Sequence, residues 1–486
     1  MLFNSYIFLL AFLPTTLVAY FALGHWSLRA PLVFLWVASL FFYAWWDPRY
    51  LLLIAGSIAF NYLAGRNLLQ LSARDDARRA RSWLLGVSVA ANLGLLGVYK
   101  YADFFLSAVS RVSGADWPLL HLVLPLGISF FTFTQIAFLV DASKGQVDSL
   151  SPTNYGLFVS FFPHLIAGPI LHHREMMPQF ESPQATRFNA DHFALGLFLL
   201  CIGLAKKLGI ADQFAPLASA GFSNWRELDL AAAWLTSLAY TIQLYFDFSG
   251  YTDMALGLGW MFNIKLPQNF NSPYKAASIQ DFWRRWHMTL SRFLRDYVYL
   301  PLGGSRGGRF ATLRNLFITF LLGGLWHGAG WTFVLWGALH GAALVVQRIW
   351  TWTGWAMQRW LARALTFLFV NVAWVYFRAT SIEQANGICL RMLGLHDTST
   401  TTVKPVQLFG AAAAQAQGLF GSTTAPAGLV LTVYAAVLCV LWLTPNSIQL
   451  ASRFRPSAAL GMLAGAALAL ALLSMHRSTE FLYFNF

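Results

Sequence analysis

Charged residues occur in clusters along this chain, and the segments between the clusters are long and apolar. Among the stretches that contain no Lys, Arg, Asp or Glu are 1–28, 30–46, 50–65, 117–140, 315–347 and 405–452. A transmembrane helix needs about 20 predominantly apolar residues. The pattern therefore predicts a polytopic helical membrane protein.

The apolar segments predict candidate membrane helices over most of the chain. They lie near 2–23, 31–46, 50–65, 83–99, 119–140, 153–171, 192–209, 231–260, 312–326, 330–349, 361–378, 428–444 and 457–474. Several are short or broken by Pro and Gly, which is tolerated at membrane depth only where the segment is buried in protein or lines a cavity. We expect an all-α transmembrane bundle of about 11 crossings, plus re-entrant or partial helices.

The distribution of charge predicts the orientation of the chain. Only 11% of the residues are charged, and the 33 basic and 20 acidic residues give a net charge of +13. The basic residues fall in loops, so we expect anionic lipids and cytoplasmic phosphate groups as partners, and no nucleic acid. By the positive-inside rule, loop 66–82 and the basic stretch 265–314 are predicted to be cytoplasmic, which places the N-terminus outside.

These two cytoplasmic segments require an even number of crossings between them, but five apolar segments separate them. Therefore either one segment does not cross the membrane, or one segment forms two crossings. We expect 153–171 to be the exception, because Pro163 interrupts it and it ends in Ile166-Ala-Gly-Pro169.

Neither the N-terminus nor the cysteines carry a processing or redox signal. The segment from Phe3 to Leu23 lacks a basic flank and a convincing small-residue cleavage site, so we expect a retained helix. The three cysteines lie far apart, and we expect neither a disulfide framework nor a metal site. Stretch 396–427 is rich in Thr, Ala and Gln and predicts an extramembrane loop.

His327 is the first candidate for chemistry. It lies in the uncharged stretch 315–347, and an ionisable residue at membrane depth is a functional candidate by default. Burial would keep its imidazole neutral and able to accept a proton. Neighbouring glycines leave room for a backbone or a ligand, and these are Gly323, Gly324, Gly328 and Gly330. The alternative is a histidine hydrogen-bonded between two helices.

His287 is the second candidate, and it follows an aromatic and basic block that ends in Trp286. On a helix, Arg284 and Arg285 would lie on one side with Asp281. Arginines at such positions can hold the phosphates of a donor such as coenzyme A. The alternative is an amphipathic juxtamembrane helix whose basic face lies on anionic lipid.

Two carboxylates, Asp247 and Asp253, lie in the apolar segment 231–260. Intramembrane carboxylates pair with another group or line a cavity. Asp247 is predicted either to orient a histidine or to hold an arginine of the 284–295 block. A structural ion pair is the alternative.

Several motifs together resemble the membrane-bound O-acyltransferases, most closely the bacterial alginate O-acetyltransferase branch. They are Asp281-Phe-Trp-Arg-Arg-Trp-His287, Leu294-Arg-Asp-Tyr297, Tyr299-Leu-Pro-Leu-Gly-Gly304 and Leu325-Trp-His-Gly328. Further matching segments are Phe3–Leu9, Phe161–Pro169, Tyr245–Asp253 and Phe481–Phe486, so the resemblance runs nearly end to end.

The resemblance implies a ring of helices around a thin centre, where a tunnel lets a cytoplasmic acyl donor meet an acceptor from the other side. The family's essential histidine corresponds to His327, and its second signature residue corresponds to His287. The resemblance also implies one membrane domain in the bacterial inner membrane, with N-terminal helices in 1–262, a catalytic core in 263–349 and C-terminal helices in 350–486.

The reaction implied is O-acetylation of an extracytoplasmic polysaccharide, such as alginate or a similar exopolysaccharide. Acetyl-CoA is the expected donor, as a substrate and not as a bound cofactor, and His327 is the expected general base. The oxyanion donor is left open between His287, Trp326 and nearby backbone. A periplasmic partner protein is expected, with transfer either direct or through it. The expected donor-binding or tunnel residues are Arg284, Arg285, Trp286, Trp326, Asp247 and Asp253.

Two kinds of alternative stay open from the sequence. Within the family, the chain would transfer D-alanyl or acetyl to another envelope polymer such as cellulose, peptidoglycan or teichoic acid, or acylate a lipid or a protein. Outside the family, a proton-coupled transporter would use His327, Asp247 and Asp253 as a relay. No inverted repeat is visible, and acidic residues are few, which argues against transport.

Overall fold

A computed structural model describes residues 1–395, 427–475 and 481–482 of the chain. Regular structure in this part of the chain is helical, and it contains no strand, which confirms the predicted all-α class. Residues 396–426 of the predicted extramembrane loop, and most of the C-terminal motif, lie outside the described residues.

The helices belong to two compact units that interleave along the sequence. Unit 1 comprises Met1–Ile202, Tyr251–Gln268 and Phe454–Met475, and unit 2 comprises Gly203–Gly250, Asn269–Arg453 and His476–Phe486 as far as it is described. The three-part division predicted from the sequence stays a prediction.

Unit 1 contains ten whole helices within the described residues. They are α1 (Leu13–Gly24), α2 (Ala30–Ala44), α3 (Arg49–Ser72), α4 (Arg78–Leu96), α5 (Ala102–Ser113), α6 (Ile128–Ser143), α7 (Pro152–Ser160), α8 (Phe162–Leu165), α9 (His173–Glu181) and, after the helices of unit 2, α21 (Ala458–Ser474). Helices α10 (Ala190–Lys206) and α12 (Leu230–Met261) contribute residues to both units.

Unit 2 holds the remaining helices. They are α11 (Asp212–Ser223), α13 (Ile279–Trp283), α14 (Met288–Leu294), α15 (Gly308–His327), α16 (Trp331–Thr353), α17 (Arg359–Arg378), α18 (Ile382–Met392), α19 (Ala427–Leu443) and α20 (Ser447–Ala451). Four π-helical turns interrupt or extend the helices of the chain, at Phe8–Phe12, Gly97–Tyr101, Lys207–Ala211 and Arg295–Tyr299.

Five helical stretches are long and apolar enough to cross a membrane, judged by length and composition. They are Arg49–Ser72, Asp75–Ser113, Ala190–Ser223, Trp331–Thr353 and Arg359–Arg378. Shorter apolar helices occur at Phe8–Gly24, Ala30–Ala44, Ile128–Ser143, Leu431–Leu443 and Ala458–Ser474. Multiple apolar helices fit the predicted bundle, while the expected number of about 11 crossings stays a prediction.

Two predicted segments differ from a simple spanning helix. Segment 153–171 breaks at Phe161 into α7 and α8, as expected, and neither piece is long enough to span. Segment 119–140, by contrast, was predicted too long, because helix begins only at Ile128. Pro125 disfavours helical backbone in the residue before it, and Gly127 has a left-handed φ of 71°.

Polar side chains connect the helices of unit 1. The side-chain amides of Asn61 on α3 and Asn92 on α4 exchange hydrogen bonds of 3.1 and 2.7 Å. On α6, Gln135 donates from Nε2 to Oγ of Ser57 at 2.9 Å. Because lipid competes poorly for hydrogen bonds, such contacts between apolar helices help to fix which helices pack together.

Helices α15 and α16 of unit 2 pack backbone to backbone at two glycines. A Cβ added at Gly324 would lie 2.7 Å from Cα of Gly337, and one added at Gly337 would lie 2.6 Å from the carbonyl oxygen of Phe320. Small residues permit this approach. Since Gly324 lies just before the end of α15, the contact also fixes the position of His327.

Candidate active site

His287 lies at the start of α14 in a strained conformation. Helix α13 begins at the Ser278 cap, whose side chain accepts from the amide of Asp281 at 3.1 Å, and it ends at Trp283. The turn that follows brings His287 to φ 42° and ψ 54°, in the left-handed region. Such backbone costs about 1–3 kcal/mol in a residue other than glycine and is concentrated at functional sites.

The side chain of Asn269 fixes the tautomer of His287. Oδ1 of Asn269 accepts hydrogen bonds from the amide of Thr289 at 3.2 Å and from its hydroxyl at 2.9 Å, which identifies this atom as the amide oxygen. The same oxygen lies 3.2 Å from Nδ1 of His287. A carbonyl oxygen only accepts, so Nδ1 carries the proton and the lone pair of the neutral ring is on Nε2.

The surroundings of His287 keep its ring neutral. The residue is fully buried, and burial lowers its pKa to about 3. Its ring packs edge-on against Phe248, with the ring centroids 4.9 Å apart. A neutral imidazole with its lone pair on Nε2 can accept a hydrogen bond there, but the lowered pKa makes it a weak base at physiological pH.

Trp326 contacts both predicted histidines. Its indole ring lies 6.2 Å from the His287 ring and 4.9 Å from the His327 ring, measured between centroids. The structure therefore brings two residues that are 40 positions apart in the sequence into contact with the same tryptophan.

His327 is the last residue of α15 and is buried. Its ring packs against Trp336 at 5.0 Å and against Phe377 at 5.2 Å. Of the glycines predicted to leave room around it, Gly324 is approached by the backbone of α16, while Gly328 lies against the ring of Phe333. Protein atoms thus occupy the space beside these two glycines.

His340 is a further buried histidine that sequence reasoning missed. The indole Nε1 of Trp283 donates to Nδ1 of His340 at 3.1 Å, and the ring of Trp336 lies 4.7 Å from the His340 ring. The sequence could have indicated His340 as a candidate, because it lies in the same uncharged stretch as His327. We call the five residues of this array the histidine cluster, which consists of His287, Trp326, His327, Trp336 and His340.

The residues of the aromatic and basic block before His287 differ in their exposure to solvent. Arg284 is exposed, whereas Trp286 is fully buried. Arg285 is half-buried, with its Nε 2.8 Å from Oδ1 of Asp281. Arg285 therefore lies on the same side as Asp281, as the helical spacing predicted, and Arg284 remains accessible to a ligand.

The structure gives Asp247 a lysine as its partner, and not an arginine of the 284–295 block. Nζ of Lys207 lies 2.7 Å from Oδ1 of Asp247 and 2.7 Å from Oδ1 of Asp212, and all three residues are buried. The amide of Leu482 donates to Oδ2 of Asp247 at 2.9 Å. This arrangement matches the structural ion pair considered as the alternative. Asp253 is also buried but belongs to unit 1.

The cluster brings three imidazole rings and two indole rings together among buried aromatic side chains. An imidazole can accept a proton, and an indole N–H can donate a hydrogen bond. Electrostatic interactions are stronger in such a low-dielectric site than in water. Among the residues that the structure describes, these histidines do not belong to a group of three or more potential metal ligands.

Comparison with known proteins places these features in context. A model of the membrane-bound O-acyltransferase family matches residues 137–383, which include the whole histidine cluster. A peptidoglycan O-acetyltransferase of Helicobacter pylori is 47% identical over 430 residues, 82% of this chain and 81% of the relative. A probable alginate O-acetylase of Pseudomonas aeruginosa is 42% identical over 391 residues, 79% of this chain and 73% of the relative. A teichoic acid D-alanyltransferase of Bacillus subtilis is 29% identical over 273 residues, 53% and 69% of the two chains.

Proposed function

We propose, from the premise that this chain belongs to the membrane-bound O-acyltransferase family, that it transfers acetyl groups to hydroxyls of an extracytoplasmic cell-envelope polysaccharide. Membership makes the chain an acyltransferase of a membrane-protein family, with several apolar helices. The transporter alternative is thereby set aside. The bacterial inner membrane is the proposed location.

Acetyl is the proposed group, and a sugar polymer is the proposed acceptor. The relatives that align over most of both chains are named for O-acetylation of peptidoglycan or alginate, whereas the D-alanyltransferase aligns over about half of this chain. Both named polymers offer sugar hydroxyls. We therefore propose a polysaccharide hydroxyl as the final acceptor, reached directly or through a periplasmic partner protein.

Acetyl-CoA is the proposed donor, entering from the cytoplasmic side. The basic stretch 265–314 includes Arg284, which is exposed and suited to a phosphate group of the donor. The acetyl thioester would then extend from this surface towards the histidine cluster. Coenzyme A is a product that leaves, so the proposal needs no bound cofactor.

The proposed chemistry is attack of a hydroxyl on a thioester. His327 takes the proton as the acceptor oxygen bonds to the carbonyl carbon, and the C–S bond of the tetrahedral intermediate then breaks. The thiolate of coenzyme A leaves and can receive the proton. The lone pair on Nε2 of neutral His287 can accept a hydrogen bond from the attacking hydroxyl, while His327 serves as the base.

The tautomer of His287 also narrows the choice of oxyanion donor. A neutral His287 whose Nδ1–H is directed at Asn269 has no proton on Nε2 to donate to an oxyanion. The indole nitrogen of Trp326 always carries a hydrogen and donates only. We therefore propose Trp326 as the donor to the developing oxyanion, in preference to His287.

The observation that carries this proposal is the contact of Trp326 with both His287 and His327 inside one buried cluster. The test compares His327→Ala with the exposed His25→Ala as a matched control, with the amount of protein in the membrane verified for both. We expect His327→Ala to reduce acetylation about 10²–10⁴-fold, the contribution typical of general acid–base catalysis. Acetyl ester on extracted peptidoglycan and on exopolysaccharide is measured separately, which identifies the polymer.

A second assay tests the donor directly. Purified protein is given acetyl-CoA labelled in its acetyl group, and release of coenzyme A is followed with and without acceptor polysaccharide. We expect release that depends on His327. Normal polymer acetylation by the His327→Ala protein would contradict the assignment, and failure of the purified wild-type protein to use acetyl-CoA would contradict the donor.

A further inference from the structure

A second group of chemically active side chains lies in unit 1, whereas the histidine cluster belongs to unit 2. It consists of Asp141 near the end of α6, and His172 and His173 at the start of α9, and we call it the Asp141 cluster. Oδ2 of Asp141 lies 2.9 Å from Nε2 of His172 and 3.3 Å from Nδ1 of His173. One ligand atom from each residue lies within 4.8 Å of the other two.

The hydrogen bonding of His173 directs a lone pair at this carboxylate. Nε2 of His173 lies 2.9 Å from the backbone oxygen of Gln146, which can only accept, so Nε2 carries the proton. In the neutral ring, Nδ1 then carries the lone pair. Nδ1 is buried, makes no hydrogen bond within the described residues, and faces an oxygen of Asp141. Two acceptors at this distance need either a second proton or a cation between them.

The hydrogen bond of His173 to a backbone oxygen is of the kind that metal-ligating histidines make. A metal-ligating histidine usually donates its other ring N–H to a backbone carbonyl or a carboxylate, which fixes the ring and makes the ligating nitrogen more basic. The bond from His173 to Gln146 fulfils this role. Two imidazoles with one carboxylate suit zinc and related divalent transition metals, whereas magnesium and calcium prefer oxygen ligands.

We propose that Asp141, His172 and His173 bind a divalent transition-metal ion of the zinc class. Zinc holds nitrogen and oxygen ligands at about 2.0–2.2 Å, so the ligand atoms of a tetrahedral site lie roughly 3.3–3.6 Å apart. The separation of 3.3 Å between Asp141 and His173 fits this geometry, and that of 2.9 Å to His172 widens slightly when the ion binds. The side chain of His172 is 22% exposed, so water can reach part of this side chain.

The ion would link the end of α6 to the start of α9, two parts of unit 1 that are far apart along the chain. Asp141 and His172 are separated by the segment that holds α7 and α8, including the break at Phe161. Binding energy at a site that does not exist in the unfolded chain is folding energy. The metal would therefore stabilise the segment 141–173. This proposal stands independently of the proposed acetyl transfer.

Metal binding is measured on full-length protein purified in detergent through a tag that contains no histidine. The protein is stripped with a chelator, loaded with Zn²⁺, dialysed and assayed by plasma mass spectrometry. We expect about one Zn²⁺ per chain for the wild type and for His25→Ala, and about tenfold less for His173→Ala and Asp141→Asn. Equal zinc content in all four proteins would overturn the proposal.

A measurement on the wild type alone gives a result that does not depend on whether the variants fold. Co²⁺ added to the stripped wild-type protein should produce visible absorption bands typical of four-coordinate cobalt, and Zn²⁺ in excess should remove them. Chelator should lower the Tm of the wild type. If the wild type binds neither Zn²⁺ nor Co²⁺ and the chelator leaves its Tm unchanged, the Asp141 cluster is not a metal site and the proposal is wrong.

Discussion

Oδ1 of Asn269 lies 3.2 Å from Nδ1 of His287, and the two residues are both fully buried. This contact decides which nitrogen of His287 can take a proton. It also provides a means of changing the protonation behaviour of the site without removing the histidine.

Asn269→Asp should introduce a pH dependence that His287 does not confer on the wild type. Burial lowers the pKa of His287 to about 3, so the wild-type ring stays neutral from pH 5 to 8. A carboxylate beside Nδ1 favours the imidazolium and raises this pKa. We expect acetyl transfer by Asn269→Asp to fall as the pH is lowered through the new pKa. Rates measured from pH 5 to 8 test this. This fall in rate at low pH should be absent from the double variant Asn269→Asp/His287→Asn. Identical pH–rate profiles for the wild type and Asn269→Asp would contradict the role of Asn269.

The same burial predicts how His287 affects stability. Its folded-state pKa of about 3 lies below the value of about 6.5 expected when unfolded. As the pH falls below the unfolded value, the unfolded chain takes up a proton that the folded chain excludes, so stability is lost. We therefore expect the Tm of His287→Asn in detergent to fall less between pH 7 and 5 than that of the wild type. Parallel Tm curves would refute this.

Trp326→Phe tests the proposed oxyanion donor. Phenylalanine keeps an aromatic ring between His287 and His327 but removes the indole N–H. Loss of one donor to an oxyanion costs about 10²–10³ in kcat, so we expect a loss of that size with little change in KM. The comparison is steady-state release of coenzyme A. A changed KM with unchanged kcat would make Trp326 a binding residue.

Gly324→Ala should destabilise unit 2 and impair catalysis together. The added Cβ would lie 2.7 Å from Cα of Gly337, which forces α15 and α16 apart and displaces His327. We expect a loss of about 1–3 kcal/mol, as for overpacking of a core. Gly330→Ala is the matched control, because its Cβ would have no neighbour closer than 3.5 Å. Equal Tm values for the two variants would argue against this close packing.

Lys207→Met should destabilise the chain more than neutralising either carboxylate. The lysine is the cation shared by Asp212 and Asp247, and breaking a buried ion pair by removing one partner costs about 3–5 kcal/mol. We expect Lys207→Met to lower the yield and the Tm strongly, and Lys207→Met/Asp247→Asn to recover part of the loss. No recovery in the double variant would mean that Asp247 does not depend on the lysine.

The sequence predicted features that depend on local pattern. Helical class, the break within 153–171 and the position of Arg285 on the same side as Asp281 follow from apolar runs, Pro positions and helical spacing. The long uncharged stretch marked His327 as exceptional. The beginning of α6 was missed because the apolar run continues through Pro118 and Pro125, and hydropathy alone does not register that prolines disfavour helix.

Partners that are distant in the chain were not predictable in the same way. Asn269 holds His287 across 18 residues, and Lys207 pairs with Asp247 through packing between helices. No periodicity encodes such pairs. The sequence could nevertheless have predicted that Lys207 has a partner, since a lysine inside an apolar helix usually pairs with another group. Nothing in the spacing of Asp141 and His172 indicated that they would meet.

The left-handed backbone at position 287 narrows the set of residues that can be installed there. Asn, Asp and Gly tolerate this conformation comparatively well, whereas β-branched residues are strongly disfavoured. A library randomised at position 287 and selected only for folded protein should therefore lose Val, Ile and Thr before any selection for activity. The backbone conformation at position 287 therefore limits which residues are compatible with folding. Catalytic activity discriminates only among the residues that remain.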